Sequence, residues 1–390
     1  MDQRLPNGVG DSNGIANHGS DRGGDNRQPH AHLQRAGSVA GDRRWLQRQL
    51  RLSLGDRGGV RCQRSRVRRW PLCTQPRPLK PGASLVYRRA SLPLALFLFF
   101  LTTACGTNGD ATQRLVFDSE RDGDADIYTI AADGTDVRQL TNEAGRDYEP
   151  DASPDGKTIA FASQRASGES AQLHLMDIDG SNVRRLTFSA GGPGTVLDDY
   201  PEWSPDGTRI VFQRTVISED KKHVYADIWL IDPQTGQESA LTNTTNIWDS
   251  TPSFTADGKS VLYESNQAGS FDVYRQPIDG GGAVRVTGSD GTDSEAKQSP
   301  DGRHIAFISD RDGDFEVYVV DSDGSDLRQL TSTDGKEECP QWSPDGTRLS
   351  FSSDRDGDQE LYVMNADGSD QRRLTNSPGG DEVADWITGE

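Results

Sequence analysis

Six acids recur along this chain, Asp147, Asp198, Asp249, Asp293, Glu337 and Asp381, at spacings of 51, 51, 44, 44 and 44 residues. Carboxylates at one position of a repeat can end up in a ring, and such a ring attracts cations. With neighbours ~8 Å apart, each adjacent pair repels by roughly 0.5 kcal/mol in water and about 2 kcal/mol at an intermediate dielectric. Summed around the ring, that favours a divalent cation such as Ca²⁺ or the basic patch of a protein partner. A second reading stays open, in which each acid caps its own loop by accepting backbone N–H bonds.

Two departures from the repeat supply further candidates. The loop Phe188 to Leu197 is about five residues longer than its counterparts, and Thr215 to Asp227 is extended by about six. The second extension carries Lys221, Lys222, His223 and Tyr225. Both are expected on the face that holds the acidic ring, in adjacent blades, where departures from a repeat tend to carry individual function. Tolerated loop drift is the alternative.

Other chemistry is thinner. The turns Asp122-Gly123-Asp124, Asp312-Gly313-Asp314 and Asp356-Gly357-Asp358 resemble the start of a Ca²⁺ loop but lack its remaining ligands, so they read as hairpin turns. His174, His223 and His304 fall in three different repeats, which disfavours a three-histidine metal site. No Gly-x-Ser-x-Gly elbow appears. We assign no catalytic residue, while a lyase or hydrolase acting on envelope glycans or peptides remains the alternative.

The elements that position these residues follow from one unit. After Glu337 come Pro340 and Trp342, then Ser343 to Gly346, whose Pro fixes φ and whose Gly accepts positive φ. Arg348 to Ser352 alternates around Leu349 and Phe351 as a half-buried strand. Asp354 to Asp358 turns, Glu360 to Met364 is a third strand, Asp367 to Ser369 turns again, and Gln371 to Thr375 is a fourth. Thr141, Thr187, Thr242, Thr287, Thr331 and Thr375 close six such units. The expected fold is all-β, a six-bladed β-propeller of four-stranded antiparallel blades. The first unit lacks an opening strand and the last phrase lacks followers. Val383 to Thr388 is therefore expected to complete blade 1 and close the ring.

The phrases Pro201-Glu202-Trp203-Ser204-Pro205-Asp206-Gly207, Ser309-Asp310-Arg311-Asp312-Gly313-Asp314 and Gln329-Leu330-Thr331 resemble TolB-type propeller repeats. The resemblance covers residues 113–390 and implies the propeller fold. Repeats of this kind occur in the envelope protein TolB and in propellers of some peptidases. TolB also carries an N-terminal α/β domain, for which residues 106–112 leave no room, so docking to the Pal lipoprotein is not carried over.

Ahead of the repeats, Arg88, Arg89 and the apolar run Leu92 to Leu101 lead to Thr102, Thr103, Ala104 and Cys105. This reads as an export signal over 86–105, too short to span a bilayer as a helix, which needs about twenty apolar residues. Ala104-Cys105 resembles the lipobox of bacterial lipoproteins, implying lipidation of Cys105, with plain cleavage or an uncleaved anchor as alternatives. Residues 106–112 are a linker. Residues 1–85 are a low-complexity basic segment, read either as a disordered arm or as sequence ahead of a start near Val86. With Cys105 lipidated, Cys339 has no intramolecular partner.

Charge supports this division. Residues 1–105 hold 18 Lys and Arg against 6 Asp and Glu, leaving 24 against 55 in the remainder. So acidic a body is unsuited to nucleic acid or an anionic membrane surface. The expected partner is a protein with a basic patch in the cell envelope, bound by a monomer that touches the membrane only through a lipid anchor, in the periplasm or outer envelope.

Overall fold

The computed structural model describes residues 113–165, 170–189, 194–220, 224–244 and 247–388. The basic segment 1–85, the export signal with Cys105, the linker 106–112, and Lys221, Lys222 and His223 lie outside the described residues. Within them, 24 strands form six four-stranded antiparallel sheets. Each sheet is a blade of a six-bladed propeller. The innermost strands of blades 2 to 6 are Asp147–Ala152, Gly194–Trp203, Asp249–Phe254, Asp293–Gln298 and Glu337–Trp342.

Blade 1 joins the two ends of the propeller. Its innermost strand, Asp381–Ile387, pairs antiparallel with Arg114–Ser119, placing Arg114 opposite Ile387 and Ser119 opposite Asp381. This is the closure expected from the orphan final phrase. No sheet edge is left open between first and last blades.

Six apolar clusters hold the ring, one at each blade junction. Between blades 5 and 6, Ile308, Val317 and Val319 pack against Trp342, Leu349, Phe351 and Tyr362. The junction of blades 6 and 1 brings Leu361 and Val363 against Leu115, Phe117 and Trp386. Trp342 and Trp386 also donate their indole N–H groups to the Lys297 and Gln341 carbonyls at 3.0 and 3.2 Å. Each tryptophan thus fastens its blade to the preceding one.

The repeated Leu-Thr ending has a local cause. In every blade its Thr hydroxyl accepts a third-strand N–H, as in Val317 to Thr331 at 2.8 Å and Leu361 to Thr375 at 2.9 Å. The chain therefore leaves the sheet at that Thr. Just before the outermost strand, Asp136, Asn182, Asp326 and Asp370 adopt φ near 55°. Between these constraints the outer strand of blade 6 shrinks to Arg372–Arg373, shorter than the Gln371 to Thr375 read from the sequence. A two-residue edge offers little to a foreign strand.

Candidate functional site

Five of the six opening acids stand at the first paired position of the innermost strand, Asp198 lies four residues into a lengthened one, and all are 0 to 2% exposed. Each bonds within its own blade. Asp381 accepts from Arg121 through both oxygens at 3.0 Å and from the Ser119 hydroxyl at 2.5 Å. Asp147 pairs with Arg165 at 2.5 Å, Asp293 with Arg311 at 2.8 Å, and Glu337 with Arg355 at 3.0 Å. Asp198 takes Arg214 at 2.6 Å. These arginines lie on aromatic rings as well, Arg355 4.7 Å from the Tyr362 centroid and Arg214 4.5 Å from Trp229. Blade 4 differs, because Ser265-Asn266-Gln267 offers no arginine to match Arg121, Arg165, Arg214, Arg311 and Arg355. Asp249 there accepts from the Thr244 hydroxyl at 3.1 Å, and burial raises its pKa.

The channel wall begins two residues further along. Glu149, Tyr200, Thr251, Glu295 and Cys339 all take φ of 47 to 54°. A bulge at this point lets two residues oppose one on the neighbouring strand, shown by the register shift between Tyr148 and Asp151 and its counterparts. The bulge frees backbone N–H groups, and side chains of the preceding blade take them up. The Glu149 carboxylate accepts from Tyr200 N at 2.7 Å, Glu295 from Cys339 N at 2.6 Å, and Gln213 from Thr251 N at 3.2 Å. Two residues deeper, Asp151, Glu202 and Asp385 accept from Trp203, Phe254 and Ala152 N–H at 2.7, 2.6 and 2.9 Å. The channel acids therefore clasp one blade to the next.

Lys297 of blade 5 forms an ion pair with Glu202 of blade 3, across the bore. Burial works against its charge, yet Glu202 and then Asp151 carry its pKa upward. Burial likewise raises Asp151, with Asp385 adding to it, and raises Glu149, with Asp199 adding to it. Glu264, behind the wall and bonded to Ser250, is pushed by burial up to about 8. Above the Lys297 pair a cavity of about 60 Å³ is lined by Glu149, Tyr200, Thr251, Glu295, Cys339 and the intervening prolines. Cys339 is a free thiol. Among the described residues no group of three or more His, Cys, Asp or Glu is gathered closely enough to hold a metal ion.

The two long stretches build one structure. Gly194 to Leu197 pairs with Thr215 to Ser218, which pairs in turn with Val224 to Ala226. Both extensions thus belong to blade 3, where the sequence had suggested two adjacent blades; the first is the innermost strand lengthened outward past Asp198. This three-stranded flap rises from the mouth at which the opening acids lie. Single bridges, Ala171 to Leu197 and Ala226 to Trp248, tie its base to blades 2 and 4. On or near it, Tyr225 is 40% and Phe188 69% exposed.

Residues 108–215 and 195–339 match the family model described as the TolB beta propeller domain, more than half of the chain. The chain belongs to the TolB β-propeller family. Residues 311–390 also match the model of the dipeptidyl peptidase IV N-terminal region. The uncharacterized protein Atu1656 of Agrobacterium fabrum is 35% identical over 106 residues, 26% of this chain and 36% of that protein. A TolB homolog of Chlorobium luteolum is 31% identical over 160 residues, 41% of this chain and 33% of the homolog. The chain thus spans about a third of these relatives' length. The crystal structure of TolB from Acinetobacter baumannii superposes with a TM-score of 0.61 at 23% identity, over 72% of this chain and 67% of that one. This last likeness is one of fold.

Set on the TolB-type blade, the candidate residues separate. The opening acids occupy equivalent positions but sit inside their blades, and Tyr225 lies on the flap. Residues lining the bore, among them Glu149, Asp151, Thr251, Glu295, Lys297 and Asp385, were not singled out from the sequence. A signal existed in Asp147-Tyr148-Glu149-Pro150-Asp151, where three acids alternate and proline marks a break in the ladder.

Proposed function

We propose that this TolB-family propeller is an exported binding and scaffold module of the cell envelope, recognising a protein partner at the flap-bearing mouth. The carrying observation is the blade 3 flap, the largest departure from the repeat, raised beside a channel whose lining includes Glu149, Asp151, Glu295 and Asp385. Exposed Tyr225 and Phe188 supply aromatic contact area, and the acidic bore favours a basic partner surface. Export and lipid attachment through Cys105 rest on the 86–105 signal, and Lys221, Lys222 and His223 remain binding candidates from the sequence alone. The test is capture from envelope extracts by wild-type protein and by Tyr225→Ala combined with Phe188→Ala. A partner retained at full yield by that variant would refute the mouth as the docking face.

A second reading, a propeller enzyme acting on envelope peptides or glycans, draws on the dipeptidyl peptidase IV match over residues 311–390. Turnover of such a substrate by purified protein, abolished by channel substitutions, would favour it.

A further inference from the structure

The bore is crossed by an ion pair. All six innermost strands run the same way from the mouth, so the Lys297–Glu202 pair lies deeper than Glu149, Thr251 and Glu295. What remains above it is about 60 Å³, room for on the order of four water-sized groups. That excludes a threaded chain and admits one side chain.

The lining specifies which one. Glu149, Asp151, Glu295 and Asp385 line the cavity with the single cation Lys297, itself paired with Glu202. Within this acidic setting Thr251, 6% exposed, lines the cavity, and its buried hydroxyl meets no hydrogen-bond partner among the described residues. The buried Gln341 Oε1 is in the same position. Two acceptors are thus left without donors. The carboxylates are spread around the wall and engaged with backbone N–H groups rather than converging on a point. Such an arrangement suits a group with several donors radiating from one compact charge better than a metal ion, which needs converging oxygens. Prolines 150, 201, 252 and 340 form an apolar collar for a hydrocarbon stem.

We propose that the channel mouth is a socket for one lysine side chain, presented by the partner that docks on it. The ammonium enters among Glu149, Glu295 and Thr251, and its stem lies along the proline collar. The inference rests on the proposed docking face for its biology, but a small molecule tests the socket without any partner.

Isothermal titration with Nα-acetyl-lysine methylamide should show saturable binding at least tenfold tighter than with its uncharged norleucine analogue. Alaninamide, which carries only an α-amine, should bind more weakly than the lysine compound. Glu149→Gln with Glu295→Gln keeps an acceptor for each clasped N–H and should weaken lysine binding about tenfold; Thr251→Val, which removes the hydroxyl and keeps the backbone N–H that Gln213 accepts, should weaken it severalfold and covers the case in which the double variant fails to fold. Equal binding of the lysine and norleucine compounds, tighter binding of alaninamide, or no change in Thr251→Val would overturn the socket. Socket binding together with unaltered capture by the flap variant would instead refute the docking face alone.

Discussion

Glu337 illustrates what the recurring acid does. Its carboxylate is fully buried and receives Arg355 at 3.0 Å, the Ser353 hydroxyl at 2.7 Å and the Thr333 hydroxyl at 2.9 Å. Removing only the cation leaves a buried charge unpaired, a change that typically costs 3–5 kcal/mol. Arg355→Met should therefore lower stability by about that amount, and Glu337→Gln added to it should recover much of the loss. Chemical denaturation of the two variants checks this; equal stability of Arg355→Met and wild type would contradict it. Glu264 tests the buried wall differently. Its pKa in the fold, about 8, lies above that of an exposed glutamate, so the native state binds more protons than the unfolded one. Its contribution is complete below the unfolded value and is lost as pH rises towards 8. Thermal unfolding should show stability falling between about pH 5 and 8, with a shallower fall in Glu264→Gln. An unchanged slope would rule Glu264 out as a source. The six acids were legible in the sequence because they repeat; that they face inward was not, because the decision rests with partners such as Arg121, which is 260 residues from Asp381 along the chain.

At the scale of the element, the blade is specified locally. The Ser-Pro-Asp-Gly turn, the Thr that caps a third-strand N–H and the alternating apolar triplet each act within a few residues, which is why strand number and order could be read from one unit. The bulge was less visible. It needs positive φ at Glu149, Tyr200, Thr251, Glu295 and Cys339, residues that do not prefer it, and the neighbouring blade holds them there through the freed N–H groups. The flap was legible only as extra length. Its pairing of Gly194 with Ser218 and Val224 with Ile217 depends on tertiary proximity of two insertions. Because Tyr225 is exposed and outside the six junction cores, Tyr225→Ala should leave stability within about 0.5 kcal/mol of wild type. Denaturant titration checks this, and a loss above about 2 kcal/mol would show the flap to be part of the fold's support.

For the whole molecule, closure is the organising fact. Six junction clusters make a ring in which no blade is an end, and Asp381–Ile387 supplies both a strand and Trp386 to the last junction. Deleting residues 381–390 should therefore cost the protein its cooperative unfolding transition rather than fray one edge, as circular dichroism on heating would show; a sharp transition near the wild-type temperature would contradict the closure argument. The ring also separates two faces. The Ser-Pro-Asp-Gly turns occupy one, with Ser343 bonded to Asp345 and Ser299 to Asp301 at 2.6 Å. The flap and the socket opening occupy the other. The most direct measurement is a comparative capture from envelope extracts with wild type, the double variant Tyr225→Ala and Phe188→Ala, and a control carrying Asp301→Ala on the opposite face. We expect the same partner on wild type and control, and its loss from the flap variant; retention on the flap variant, or loss only from the control, would contradict the assignment of the flap-bearing mouth as the binding face.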